Sequence, residues 1–196
     1  MTMFYPERSA FQAKIQAPFV LAQINALKAS IFKSSAEIQT ALSVADSIAQ
    51  RYELTRPDLF IPARETFGAI LEPLSNIAHA GTIRRIGLGI FPQYMKILGV
   101  PAGGAKAALG VNTPSDLVRN VCEAYGRCVT GPGAGALTPT RIDSKSAVVS
   151  DTTFVPCSLQ SGVFIGAGQI TGLKLMVRET QCRLRGHSSC IYEIDW

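Results

Sequence analysis

Residues 157–196 read CSLQSGVFIGAGQITGLKLMVRETQCRLRGHSSCIYEIDW, and the texture of this stretch decides the fold. Its first part, Cys157 to Thr171, has the length of a helix and carries Gly162, Gly166 and Gly168. Glycine at short intervals weakens a helix but lets a second backbone or a ligand approach closely. The remainder alternates apolar and polar residues on either side of Gly186, the pattern of two strands joined by a turn. The tail therefore predicts helix, strand, strand.

Upstream, RIDSKSAVVSDTTFVP (141–156) is rich in Ser, Thr and Val and reads as strands, set off by the turn-rich GPGAGALTP (131–139). Before that break the patterning is helical. Ile38, Leu42, Ala45 and Ile48 recur at helical spacing, and residues 64–81 form a second helical stretch bent at Pro73. Residues 82–99, interrupted by Gly87, Gly89 and Pro92, predict two short helices. Thr113, Pro114 and Asp116 give the cap, first position and first-turn acid of a helix over 113–127. TRPDLFIP (55–62) reads as a loop, and APFVLAQINAL (17–27) fits a helix or a buried strand equally. With no alternating βαβ series, the class is α+β: N-terminal helices packed on an antiparallel sheet, ending helix-strand-strand. A chain of 196 residues suits one domain, taken as 35–196, with 1–34 as an N-terminal appendage.

Composition excludes several classes. The 19 basic and 14 acidic residues leave a net charge of +5, but the basic ones are scattered, with no stripe interleaved with aromatics, so nucleic acid is not an expected partner. No apolar run reaches the span of about eighteen residues that a membrane helix needs, and the start MTMFYPERSAFQAK lacks a signal-peptide order, which predicts a cytoplasmic protein. Five cysteines is an odd number, favouring reduced thiols or a metal site over a disulfide framework. No GxSxG, HExxH or phosphate-cradling glycine loop is present, so the sequence reads as a binding module rather than an enzyme.

The chemistry-bearing residues are Cys157, Glu179, Cys182 and Cys190. Cys182 and Cys190 flank the predicted turn and Cys157 starts the preceding helix, so three thiolates of a tetrahedral zinc site are in reach, with Glu123, His187 and Asp151 as candidates for the fourth position. The alternative is three buried reduced cysteines packing as small hydrophobes. Haem is not expected, since His79, near a predicted helix end, lacks a supporting motif.

FVPC from Phe154, the small-residue helix, and RETQCRLRGHSSCIYEIDW resemble the end of 4-vinyl reductase-type small-molecule-binding domains, a superfamily that includes nitric oxide sensors and Bet3-type trafficking subunits. The middle of the chain, SDLVRNVCEAYG, and the ending YEIDW are similar to an uncharacterised family of myxobacterial paralogues. The resemblance implies a structural zinc on Cys157, Cys182 and Cys190. The family's fourth ligand, an upstream glutamate, has no counterpart in residues 131–150. The expected function is sensing or binding of a small apolar or aromatic ligand between the glycine-rich helix (Gly162, Gly166, Phe164) and the sheet, signalling through a homodimer or partner. The alternative is a pocketless interaction protein of the same fold.

Overall fold

In the computed structural model the described residues are 12–30, 36–74 and 80–196. Along the chain run β1 (Lys14–Gln16), α1 (Ala17–Ser30), α2 (Ala36–Arg51), β2 (Phe60–Pro62), a π-type turn (Arg64–Gly68), α3 (Ala69–Leu74), α4 (Ala80–Ile97), α5 (Ala105–Ala108) and α6 (Pro114–Cys128). The second half follows with β3 (Val129–Thr130), β4 (Leu137–Ile142), β5 (Ser146–Asp151), α7 (Cys157–Thr171), β6 (Met176–Gln181) and β7 (Cys190–Asp195). The class is α+β, as the tail predicts. One antiparallel sheet has the order β4-β5-β7-β6, and a small one has the order β2-β1-β3.

Strand alternation sets the faces of the large sheet. Ala147, Val149 and Asp151 of β5 are buried, as are Cys190, Tyr192 and Ile194 of β7, while the residues between them are partly exposed. This is the period-2 signature of a sheet covered on one side. The cover is α7, whose Phe164 ring lies 6.0 Å from that of Tyr192. On its other side α7 meets α4, and α4 in turn meets α1 where Gly89 lies against Ala26. The helices thus stack as α1, α4, α7 and then the sheet.

Two expectations are corrected here. Residues 82–99 do not break into two helices: α4 is continuous through Pro92. Its glycines are contact points, for a Cβ on Gly87 would meet the Leu159 carbonyl oxygen of α7 at 2.1 Å. Pro92 has no N–H to offer the Leu88 carbonyl four residues back. That carbonyl lies against Gly166, where a Cβ would sit only 2.3 Å from it. Second, residues 55–62 are not wholly loop, since Phe60–Pro62 pairs with β1. The described part of 1–34 takes part in the packing. β1 joins β2 and β3, and α1 buries Ala17, Val20, Ile24 and Leu27 among its eight buried residues. A helix buried nearly all round shows no clear apolar stripe, which is why periodicity left residues 17–27 open. Residues 31–34 and the end of the second helical stretch, with His79, lie outside the described residues.

The α6 expectation holds in detail. Thr113 accepts a hydrogen bond from the Asp116 amide at 3.2 Å, and the Asp116 carboxylate accepts from the Thr113 and Asn112 amides at 2.8 and 3.0 Å. This reciprocal cap satisfies amides that the helix start leaves open, and it holds the Asp116 carboxyl below the usual range. Its inner face presents Val121, Tyr125 and Cys128 to the core. Among the described residues no helix is long and apolar enough to cross a membrane.

Candidate functional site

The structure brings together the three cysteines singled out from sequence. Cys157 enters at the first residue of α7, Cys190 opens β7, and Cys182 follows the end of β6; all three are buried. Their sulfurs lie within 4.8 Å of one another. Cys157 and Cys190 are joined as a disulfide, whereas the composition favoured reduced thiols or a metal site, and Cys182 stays free with its Sγ 3.6 Å from that of Cys157. The Arg183 amide donates to Cys190 Sγ at 3.5 Å. Burial raises the Cys182 thiol above its ordinary value. Among the candidate fourth ligands, Glu123 is exposed and paired with Arg127 at 3.6 Å, and His187 is exposed in the turn before β7. Asp151 is fully buried and already engaged.

Asp151 stands opposite Cys190 in the sheet and accepts hydrogen bonds from the Tyr192 hydroxyl at 2.9 Å and the Thr153 amide at 2.7 Å. Those bonds favour its charged form, and so does the charge of Arg183, yet burial outweighs them and the carboxyl is pushed above its ordinary value. Burial likewise pushes the Cys122 thiol up to about 12, with the Asp151 charge adding to it. The sign follows by linkage. A carboxyl that holds its proton more tightly when folded contributes fully below its unfolded value of 3.8, and that contribution is lost as pH rises through its folded value. Asn at this position keeps an acceptor for Thr153 and cannot ionise. Asp151→Asn is therefore expected to gain in melting temperature relative to the parent as pH rises from acid to neutral, measured by thermal unfolding in parallel buffers. A difference that is flat with pH would refute the assignment.

Phe164, Gly162 and Gly166 do not share one site. Phe164 is fully buried against Tyr192 on the sheet side, whereas Gly162 and Gly166 face α4. A Cβ at Gly162 would meet the Arg84 carbonyl oxygen at 2.1 Å and the Leu88 nitrogen at 2.8 Å. The space these glycines open is occupied by the α4 backbone.

Two small enclosed voids lie along the stack of α1, α4 and α7, about one helical turn apart. One, of about 20 Å³, lies beneath α6 and is bounded by Phe19, Phe91, Tyr94, Val121, Cys128 and Gln160, among others. The Tyr94 hydroxyl donates to Gln16 Oε1 at 3.0 Å and the Cys128 thiol lies 3.4 Å from that hydroxyl, so the polar groups there are coupled; burial raises both Tyr94 and Cys128. The other void, of about 10 Å³, lies beneath the π-type turn and α3 and is bounded by Gln23, Leu27, Phe67, Ile86, Ile90 and Leu159, among others. Gln23 is 5% exposed, and its Oε1 has no hydrogen-bond partner among the described residues. Sequence reasoning passed over Gln23, Tyr94 and Gln160. The available signal was an amide, Gln23, two residues before Asn25 in the otherwise apolar run APFVLAQINAL, and it becomes visible only once both sides of that helix are known to be covered.

No family model matches the chain, and no curated protein matches it. Solved structures do match. An H-NOX protein from S. oneidensis in the Fe(II)NO ligation state superposes with a TM-score of 0.60 at 12% identity, covering 92% of this chain and 98% of that one. A structure concerned with heme redox potential and protein-induced porphyrin distortion gives 0.58 at 12%, covering 93% and 100%. An oxygen-binding H-NOX domain related to soluble guanylate cyclases gives 0.56 at 12%, covering 92% and 93%. At such identity the likeness is one of fold, and the chain has the H-NOX fold. It meets the sequence resemblance at the nitric oxide sensors, and it does not support the finer resemblance to 4-vinyl reductase domains or the myxobacterial paralogues.

These matches also correct the cofactor expectation, which put structural zinc first and haem aside. Among these matches one is an H-NOX protein in an Fe(II)NO state and one concerns heme redox potential, so zinc is withdrawn and haem is the group to test against the residues. A pocket for a molecule of that size needs about 300–1,000 Å³. The voids under α6 and α3 are about 20 and about 10 Å³, and α4 touches α7 backbone to backbone. The residues lining them include no histidine. These two voids are too small for a porphyrin, and no step is derived through one.

Proposed function

We propose that this chain is a small-molecule-sensing domain whose ligand enters the helical stack between α1, α4 and α7, and that residues 12–196 act as one domain. The observation that supports this is a fold shared with H-NOX domains over nearly the whole chain, together with interior voids in that stack bounded by apolar side chains and a few buried amides. Apolar walls with a small number of placed polar groups are the usual composition of ligand sites. Occupancy that spreads α6 or α3 from the stack would change the outer surface and carry the signal to a partner or a second copy.

The test is a thermal-shift panel of small neutral aromatic and aliphatic compounds, with a parallel spectroscopic titration with haemin. Sensing predicts a concentration-dependent rise in melting temperature for at least one compound class, reflecting a stabilisation of about 2.7 kcal/mol at one hundred times Kd. A Soret band at one equivalent would instead place the chain with the haem-binding users of this fold. Flat responses in both arms would refute the reading.

A further inference from the structure

We infer that Cys157, Cys182 and Cys190 form a thiol–disulfide exchange site. Cys182 takes over the bond to Cys157 and carries it from the sealed interior to the side of the exposed turn 183–189, where a small thiol reductant can open it. The inference is independent of the sensing reading above.

Three sulfurs share one place in the fold, while the other two cysteines of the chain, Cys122 and Cys128, lie on α6. Only two of the three can be bonded to each other at a time, so a free thiol stands beside the disulfide. Here that thiol is Cys182, with its Sγ 3.6 Å from that of Cys157. For atoms as large as sulfur this is the separation of groups poised to react. In the step, the Cys182 sulfur bonds to Cys157 Sγ, the Cys157–Cys190 bond breaks, and its electron pair leaves on Cys190. The proton given up by Cys182 ends on Cys190. One thiol and one disulfide enter and one of each leaves, so the exchange itself consumes no oxidant or reductant. The Arg183 amide donates to Cys190 Sγ at 3.5 Å and so faces the sulfur on which charge develops. Arg183 is held there by its own guanidinium, which donates to the Thr152 and Thr153 carbonyls.

Burial makes the exchange matter for access. Cys190 is fully inaccessible, on a strand paired on both sides, and Cys157 is nearly so, which shields the bond between them from a reductant in solvent. Cys182 is buried as well, but residues 184–188 that follow it are all exposed. With the bond on Cys182, local opening of that turn admits a small dithiol, and the sheet need not come apart. The dithiol is oxidised to its own disulfide, and Cys157 and Cys182 are left as thiols.

The test uses the full chain, reduced by dithiothreitol and sampled by timed acid quench, alkylation and mass spectrometry. Cys182→Ser keeps the Cys157–Cys190 bond and lacks the attacking sulfur; its disulfide is expected to be reduced at least about tenfold more slowly than that of the parent. Unfolding rates of both proteins, measured alongside, separate this from a change in global stability. Peptide mapping of the acid-quenched parent is expected to find a Cys157–Cys182 link at about 0.1–10% beside the Cys157–Cys190 link. Cys190→Ser is expected to form the Cys157–Cys182 link on incubation with oxidised glutathione; if that variant does not fold, the reduction rates and the map of the parent decide. Reduction of Cys182→Ser as fast as the parent at equal unfolding rate would overturn the inference. So would a parent map confined to the Cys157–Cys190 link, a folded Cys190→Ser whose two thiols stay free, or three free thiols in the parent isolated without reductant.

Discussion

Gly162→Ala is expected to cost at least about 3 kcal/mol, the upper part of the range for forcing atoms into a packed interior. In a domain of this size that lowers the melting temperature by about 10 °C. The added methyl would lie 2.1 Å from the Arg84 carbonyl oxygen, 2.8 Å from the Leu88 nitrogen and 2.9 Å from the Gly87 Cα, all backbone atoms of α4. Backbone within a continuous helix cannot rotate aside as a side chain does, so relief requires α7 and α4 to separate. Separation would also expose apolar residues that both helices bury. Gly126→Ala is the control: it is exposed on α6 with no atom within 4 Å of the new Cβ, and it is expected to gain about 0.5–1 kcal/mol from helix propensity. Thermal and denaturant unfolding of the two variants beside the parent makes the comparison. If both behave alike, α4 and α7 are not in contact and the ligand space expected from the sequence exists after all.

Phe164→Ala is expected to lose about 3–5 kcal/mol, the range for truncating a fully buried phenylalanine. The ring is inaccessible, packs against the equally buried Tyr192 at 6.0 Å, and ties α7 to the middle of the sheet. Tyr192 in turn donates to Asp151 and lies 3.2 Å from the Cys157 carbonyl oxygen, so loosening its ring disturbs the buried carboxyl as well. Equilibrium unfolding measures the loss. A loss below about 1 kcal/mol would mean that the ring faces free space rather than packed neighbours.

How legible the protein is from sequence differs by level. The tail was readable because its signals are local: alternation around Gly186, a helix-length run before it, and Thr113 with Asp116 as a cap farther back. Continuous α4 was not readable, because Gly87, Gly89 and Pro92 look like breaks until α1 and α7 are seen pressed against them. Contacts between distant segments override local propensity, and nothing within residues 82–99 reports them. The same limit separates the two site readings. The three cysteines converge because a turn joins the strands that carry Cys182 and Cys190 while α7 packs its first residue, Cys157, against that end of the sheet. The spacing of the α7 glycines says only that something comes close, without saying whether it is a ligand or another helix. Gln23 escaped notice for the converse reason, since a glutamine acquires meaning only when its surroundings prove to be hydrocarbon.

The strand order carries a consequence for biosynthesis. β7 lies between β5 and β6, so the β4-β5 hairpin and β6 have no direct pairing with each other. While the ribosome is still delivering residues before 190, β6 has no neighbour in the sheet and α7 has no Tyr192 to cover. Helices α1 and α4 can meet during synthesis, but the sheet must wait for one late insertion. Until that strand arrives, the nascent chain exposes two unpaired edges, the state in which a chaperone has most to protect.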